Sequence, residues 1–144
     1  MTTDKENINL FQSDVRVEKE IDGIIYRIYN NRIYHVIIPR FEKVGISVID
    51  NGYRFLEENG GGKFYNIFQF GSFSDIEPDL REWAADEDGN LYTHSDALVI
   101  ESLSQKIIAD FYLRFNKPFK PTKIFYSTEK AVKWTLEQIE KNED

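Results

Sequence analysis

The sequence predicts an α/β domain on a mixed sheet, with antiparallel hairpins at its N-terminal end followed by alternating helices and mostly parallel strands. Two observations carry that expectation. Three short apolar runs between residues 15 and 38 alternate with period two and are separated by turn dipeptides, which is the pattern of a meander. From residue 41 onward helical and extended periods take turns to the end of the chain. Such alternation implies right-handed crossovers between parallel strands, with helices covering the sheet.

Residues 1–13 are polar and unpatterned and read as a flexible leader to a single domain spanning 14–144. "VRVEKEI" (15–21) places Val15, Val17 and Ile21 on one strand face. Asp22-Gly23 then turns the chain into "IIYRIY" (24–29), and Asn30-Asn31 turns it again into "RIYHVII" (32–38). Pro39 ends that strand because proline has no N–H to give a ladder. The run from Phe41 to Asn59 takes up a helical period through Ile49, Tyr53 and Leu56, and "NGGG" (59–62) closes it where left-handed backbone is easily adopted. "KFYNIFQFG" (63–71) is a buried strand by its aromatic content.

"SFSDIEPDLREWAAD" (72–86) predicts a second helix, with Ser74 or Asp75 as N-cap and Ile76, Leu80, Trp83 and Ala84 on its apolar face. An acidic loop over 87–96 precedes an apolar strand at 97–101. The third helix, "SLSQKIIADFYLRFN" (102–116), has Ser102 or Ser104 as cap and an inward stripe of Leu103, Ile107, Phe111 and Phe115. "KPFKP" (117–121) cannot remain helical, "TKIFYS" (122–127) is the last strand, and the closing helix from Thr128 turns Val132, Leu136 and Ile139 inward.

Composition narrows the function classes. The chain has no cysteine, which removes thiolate nucleophiles, disulfides and cysteine-ligated zinc. A net charge of -7 opposes a phosphate backbone, so nucleic acid is not an expected partner. No stretch approaches the ~18 apolar residues of a membrane span, and no basic-then-apolar leader opens the chain, so the expected location is the cytoplasm. Asp86, Asp88 and Asn90 mimic a calcium loop, but Gly89 and Ala97 stand in the wrong places for one. His35 and His94 are isolated in the sequence, and no nucleophile elbow, Walker loop or dinucleotide fingerprint is present. The chain therefore reads as non-catalytic, with no cofactor and no metal. Asp110 is expected to form a surface ion pair with Arg114 one turn on.

The segment "DALVIESLSQKIIADFYLRFNKPFKPTKIFYSTEKAVKW" (96–134) resembles the end of a bacterial family of small SpoIIAA-like proteins, also described as STAS/SEC14-like. The resemblance rests on SLxxxxIAxFY, on FNKPxxPTK, and on Ala131 and Trp134 three apart; "GSFSDIEPDLREWAAD" agrees less specifically, and the first 60 residues agree in element order alone. It implies a STAS-like architecture like that of anti-sigma-factor antagonists. The element order together with the absence of catalytic motifs predicts a non-catalytic protein-interaction module, with self-association as a homodimer, that uses a helix face and the junction at Ser72 to Ser74; the SEC14-like likeness implies, as an alternative, a carrier for a small apolar ligand or lipid. In anti-sigma-factor antagonists of that architecture a phosphorylatable serine lies in a DSSG-like junction. This chain has "GSFSD" there, which makes Ser72 and Ser74 the candidate phosphorylation or anion site. The basic and aromatic residues Lys117, Phe119, Lys120 and Lys123 form the candidate interaction surface.

Overall fold

A computed structural model describes residues 10–78, 92–115 and 120–143. Its strands are β1 (Val15–Ile21), β2 (Ile24–Tyr29), β3 (Ile33–Ile38), β4 (Lys43–Val44), β5 (Phe64–Phe70), β6 (Asp75–Ile76), β7 (Thr93–Val99) and β8 (Thr122–Phe125), and its helices α1 (Ile46–Glu58), α2 (Leu103–Phe115) and α3 (Thr128–Glu143). Six strands form one sheet in the order β1-β2-β3-β5-β7-β8, and β4 and β6 form a small second ladder. The β1–β2 and β2–β3 pairs are antiparallel, and every later pair is parallel. The mixed α/β sheet is thus as the periodicities predicted.

Local chemistry explains the hairpins. Asp22 and Gly23 both have positive φ (51° and 84°), the primed-turn geometry whose twist matches paired strands. The second hairpin places its left-handed residue at Arg32 (φ 71°), whose N–H donates to the Tyr29 carbonyl. A non-glycine residue in that region costs free energy, and here the side chain anchors it: the guanidinium donates to the carbonyls of Lys63 (2.8 Å) and Gly61 (2.7 Å) and lies over the Phe64 ring. Arg32 thereby ties the end of one hairpin to the glycine stop after α1.

Both faces of the sheet carry apolar cores. Tyr26, Ile28, Tyr34, Val36, Phe64 and Phe70 meet Val48, Phe55 and Leu56 of α1 on one face. Tyr29, Ile33, Tyr65, Ile67, Ala97 and Val99 meet Ala131 and Val132 of α3 on the other. The β3–α1–β5 and β7–α2–β8 connections step in the same direction, so their right-handed crossover places α1 and α2 together on the first face. Among the described residues no helix is long and apolar enough to cross a membrane.

Several expectations are corrected. The leader does not extend to residue 13, because Phe11 is buried and stacks on Tyr29 with ring centroids 4.1 Å apart. The first helix starts at Ile46 rather than near Phe41, since Lys43 and Val44 pair with Asp75 and Ile76 as strand. The same pairing removes Ser74 and Asp75 as helix caps and turns Ile76 into a strand residue; the remainder of the helix predicted over 72–86, beyond residue 78, lies outside the described residues. β7 begins at Thr93, four residues before the predicted strand, so His94 is on a strand and not in a loop.

The inward stripe of α2 is wrong at the positions described. Leu103 is 72% and Ile107 61% exposed, while Gln105 and Ala109 are buried. A capping box sets this rotation: the Ser102 hydroxyl accepts from the Gln105 N–H, and Gln105 Oε1 accepts from the Ser102 N–H. The Gln105 amide then donates to the carbonyls of Gly71 and Ser74, at 2.9 Å each, so a polar residue occupies the inward face. The side chains of Phe111 and Phe115 lie outside the described set. Asp110 does form a surface ion pair, but with Lys106 at 2.6 Å.

Candidate functional site

Two features stand apart from ordinary packing. The first is a cleft between α1 and the sheet, at the N-terminal ends of the parallel strands. One row of paired residues crosses the sheet there: Ile28 opposes Tyr34, Tyr34 opposes Asn66, Asn66 opposes Asp96, and Asp96 opposes Thr122. The row turns from apolar to polar where it passes under α1.

A β-bulge gathers the polar end. Phe64 pairs with Thr93 but Tyr65 pairs with Ser95, so His94 is an extra residue in β7. Regular alternation would point Thr93 and Asp96 to opposite faces; the inserted residue brings both onto the face of Asn66. The Asn66 amide donates to Thr93 Oγ1 at 2.9 Å and to Asp96 Oδ1 at 3.0 Å. Lys120, held just ahead of β8, completes the group, with its ammonium 3.2 Å from Asp96 Oδ2 and both side chains buried. Such a buried pair is costly to desolvate and strongly destabilising to break.

The cleft itself holds a cavity of about 60 Å³. Its apolar wall includes Tyr26, Tyr34, Val48, Tyr53 and Phe68, and Gly52 forms part of the roof. A Cβ on Gly52 would run into the Tyr34 hydroxyl, so the missing side chain keeps this space. Burial pushes the Tyr34 phenol well above its ordinary value; it also raises that of Tyr53, with the Asp96 carboxylate adding to the effect. These phenols are therefore neutral hydroxyls.

The second feature is the opposite edge, where the parallel strands end. After β3 and after β5 the chain makes two left-handed turns, at Phe41 (φ 62°) and Phe73 (φ 61°). The two rings stack 5.2 Å apart at 9°, yet they are 69% and 62% exposed. The Arg40 guanidinium sits 5.3 Å over the Phe41 ring. Bulky residues take up such backbone only where their surroundings impose it. Here the Phe41 N–H donates to the Ser72 carbonyl, the Gly71 N–H donates to the Ile38 carbonyl, and Gln105 holds Gly71 and Ser74 from below. A Cβ at Gly71 would lie 2.7 Å from the Pro39 and Arg40 backbone, so glycine lets the two loops close on each other.

The sequence-predicted sites disperse across the molecule. Ser74 is only 2% exposed and its hydroxyl donates to the Gly71 carbonyl, which makes it a packed structural serine and not an accessible phosphate acceptor. The Ser72 hydroxyl donates to the Glu101 carboxylate at 2.8 Å, so a phosphate there would face an acid. Lys120 is buried in the cleft, whereas Lys123 is exposed on the opposite face of β8, 5.7 Å from the Phe125 ring centroid; the two lysines do not share a surface. Lys117 and Phe119 lie outside the described residues. His35 and His94 have different partners: His35 meets Gln69 at 2.9 Å, and His94 stacks on Tyr65. The Asn66, Thr93 and Asp96 cluster was not predicted, because the bulge that assembles it leaves no periodicity in sequence. A polar "THSD" leading into "ALVI" is the one available signal.

Residues 19–139 match the model of a family described as a domain of unknown function (DUF7793). No curated protein and no solved structure matches the chain.

Proposed function

The chain belongs to the DUF7793 family, and we propose that it is a non-catalytic protein-interaction module of STAS-like build that pairs with a second copy of itself. The observation that carries this reading is the exposed Phe41–Phe73 stack on two left-handed turns. The two rings leave most of their apolar surface in water despite their mutual stacking, and the conformation that presents them costs free energy. Interfaces concentrate aromatic residues and arginine, and Arg40, Phe41 and Phe73 supply that composition on one rigid edge. Leu103 at the start of α2 adds exposed apolar surface to the helix that Gln105 fastens to this edge.

A second copy suits the charge pattern. Arg40, Glu42, Lys43, Asp75 and Glu77 put charges of both signs on the segments that carry the two rings, the mixture that a self-complementary contact across a two-fold axis requires. The STAS-like part of the reading is supported by the element order and by the resemblance of residues 96–134. The alternative, a carrier of lipids or other apolar molecules, draws little from the cleft: about 60 Å³ is far below the ~300 Å³ at which drug-sized pockets begin.

Sedimentation equilibrium on the wild type and on a Phe41→Ser/Phe73→Ser variant tests the proposal. The expected result is a wild-type dimer and a folded, monomeric variant. A wild-type monomer at the highest soluble concentration, or a dimer indifferent to both substitutions, would overturn it.

A further inference from the structure

Three departures from regular backbone deliver basic side chains to one end of the sheet. The register shift between Val15 and Val17 makes Arg16 the extra residue of a bulge in β1, and His94 is the extra residue in β7. Arg32, just ahead of β3, holds a left-handed φ of 71°. Bulges re-aim side chains, and strained backbone collects at binding sites. All three residues stand where β1, β3 and β7 begin, and Lys63 joins them just ahead of β5.

The loop between α1 and β5 collects them. Arg16 donates to the Asn59 carbonyl at 2.9 Å, and Arg32 donates to those of Gly61 and Lys63. Residues two apart are separated by roughly 7 Å at most, so the two guanidiniums flank one short stretch of chain. A Cβ at Gly62 would lie 2.9 Å from Arg32 Nη2, so glycine makes room for the guanidinium there. Arg32 spends two of its five N–H donors on these carbonyls and Arg16 spends one, which leaves each with donors for a ligand. Like charges are held together here. Burial, and then the Arg16 charge, lower the Arg32 pKa; burial, and then the charges of Lys63 and Arg32, lower that of His94. One carboxylate, that of Glu57, borders Gly61, and the Tyr92 hydroxyl donates to it. Gathering cations costs the unliganded chain free energy, and a bound anion relieves that cost.

Arg16 and Lys63 are exposed and Arg32 and His94 half-buried, so the cluster is open to solvent. A planar carboxylate is satisfied by one guanidinium, whereas a phosphate group presents three oxygens to several donors and carries up to two charges. We infer that the 59–63 loop is a binding site for the phosphate group of a small molecule, held between the Arg16 and Arg32 guanidiniums, with Lys63 and His94 adding positive charge from the β7 side. The site lies at the opposite end of the parallel strands from the Phe41–Phe73 stack and is independent of whether the chain dimerises there.

Inorganic phosphate and glycerol 3-phosphate are the probes, at about pH 7.5 where both are largely dianionic, with acetate at equal ionic strength as the singly charged control. The Nε–H signals of Arg16 and Arg32 and the ring signals of His94 are followed by NMR during titration. Saturable shifts are expected with phosphate or its ester and not with acetate, and the tighter of the two identifies whether the free anion or an ester is preferred. Arg16→Gln, at an exposed position, is expected to weaken binding about tenfold, and Lys63→Gln to weaken it in the same direction. Bound dianion also favours the imidazolium, so the His94 pKa is expected to rise with saturation. Shifts that fail to saturate or that acetate reproduces would overturn the site. An unchanged Kd in both variants, or a His94 pKa indifferent to saturating phosphate, would overturn the assignment of these residues.

Discussion

Acidification is expected to destabilise this protein through His35 before its carboxylates are fully protonated. His35 sits on β3, buried, with Phe11 packed at 5.4 Å, Gln69 accepting from Nε2, and Nδ1 without a partner among the described residues. Burial, with a contribution from the nearby Arg27 charge, lowers its pKa to about 4, against the opposing effect of the Gln69 bond. The unfolded chain titrates this imidazole near 6.5, so between the two values the unfolded state binds the extra proton. Stability is therefore complete above pH 6.5 and falls as pH is lowered through 4. Two-state linkage gives a loss of about 2 kcal/mol at pH 5 and about 3 kcal/mol at pH 4 from this residue. Urea denaturation of the wild type and a His35→Phe variant across that range isolates the term, because the carboxylates are common to both. The variant's curve is expected to be flatter by about 2 kcal/mol between pH 7 and 5. Parallel curves would refute the buried, neutral imidazole.

Three further outcomes follow from the geometry. Gly52→Ala places a methyl group against the Tyr34 hydroxyl and is expected to cost about 1–3 kcal/mol, read as a lower urea midpoint with an unchanged slope. Lys120→Met alone should cost about 3–5 kcal/mol by stranding the Asp96 carboxylate, whereas Lys120→Met combined with Asp96→Leu should recover much of that loss, as a double-mutant cycle would record. Gly71→Ala forces apart the backbone of the two C-terminal loops and is expected to cost about 2 kcal/mol while releasing the Phe41–Phe73 stack, visible as a change in their ring-proton shifts.

Where structure follows local chemistry, it was legible in the sequence. Asp22-Gly23 has the positive φ values its residue types favour, and Ser102, one of the two serines the sequence offered as a cap, does cap α2. Where a residue's role is set by distant partners, the sequence misled. Leu103 and Ile107 have the spacing of a core stripe, but Gln105 wins the inward face because it satisfies two loop carbonyls at once. Lys43 and Val44 look helical until Asp75 and Ile76, some thirty residues on, offer them a ladder. The Asn66–Asp96–Lys120 cluster was the least visible, since it depends on parallel register and a bulge at His94. The exposed aromatic edge was also missed, because Phe41 and Phe73 each look like core residues when counted singly.

Pairing through the edge that carries those two rings would change the surroundings of the rings themselves. Ring-proton NMR signals of Phe41 and Phe73, assigned by single substitution and followed through a dilution series, test it at the residues themselves. Concentration-dependent shifts at Phe41 and Phe73, with the buried Phe64 unmoved, are predicted. Invariant Phe41 and Phe73 signals from the most dilute to the most concentrated sample would contradict it.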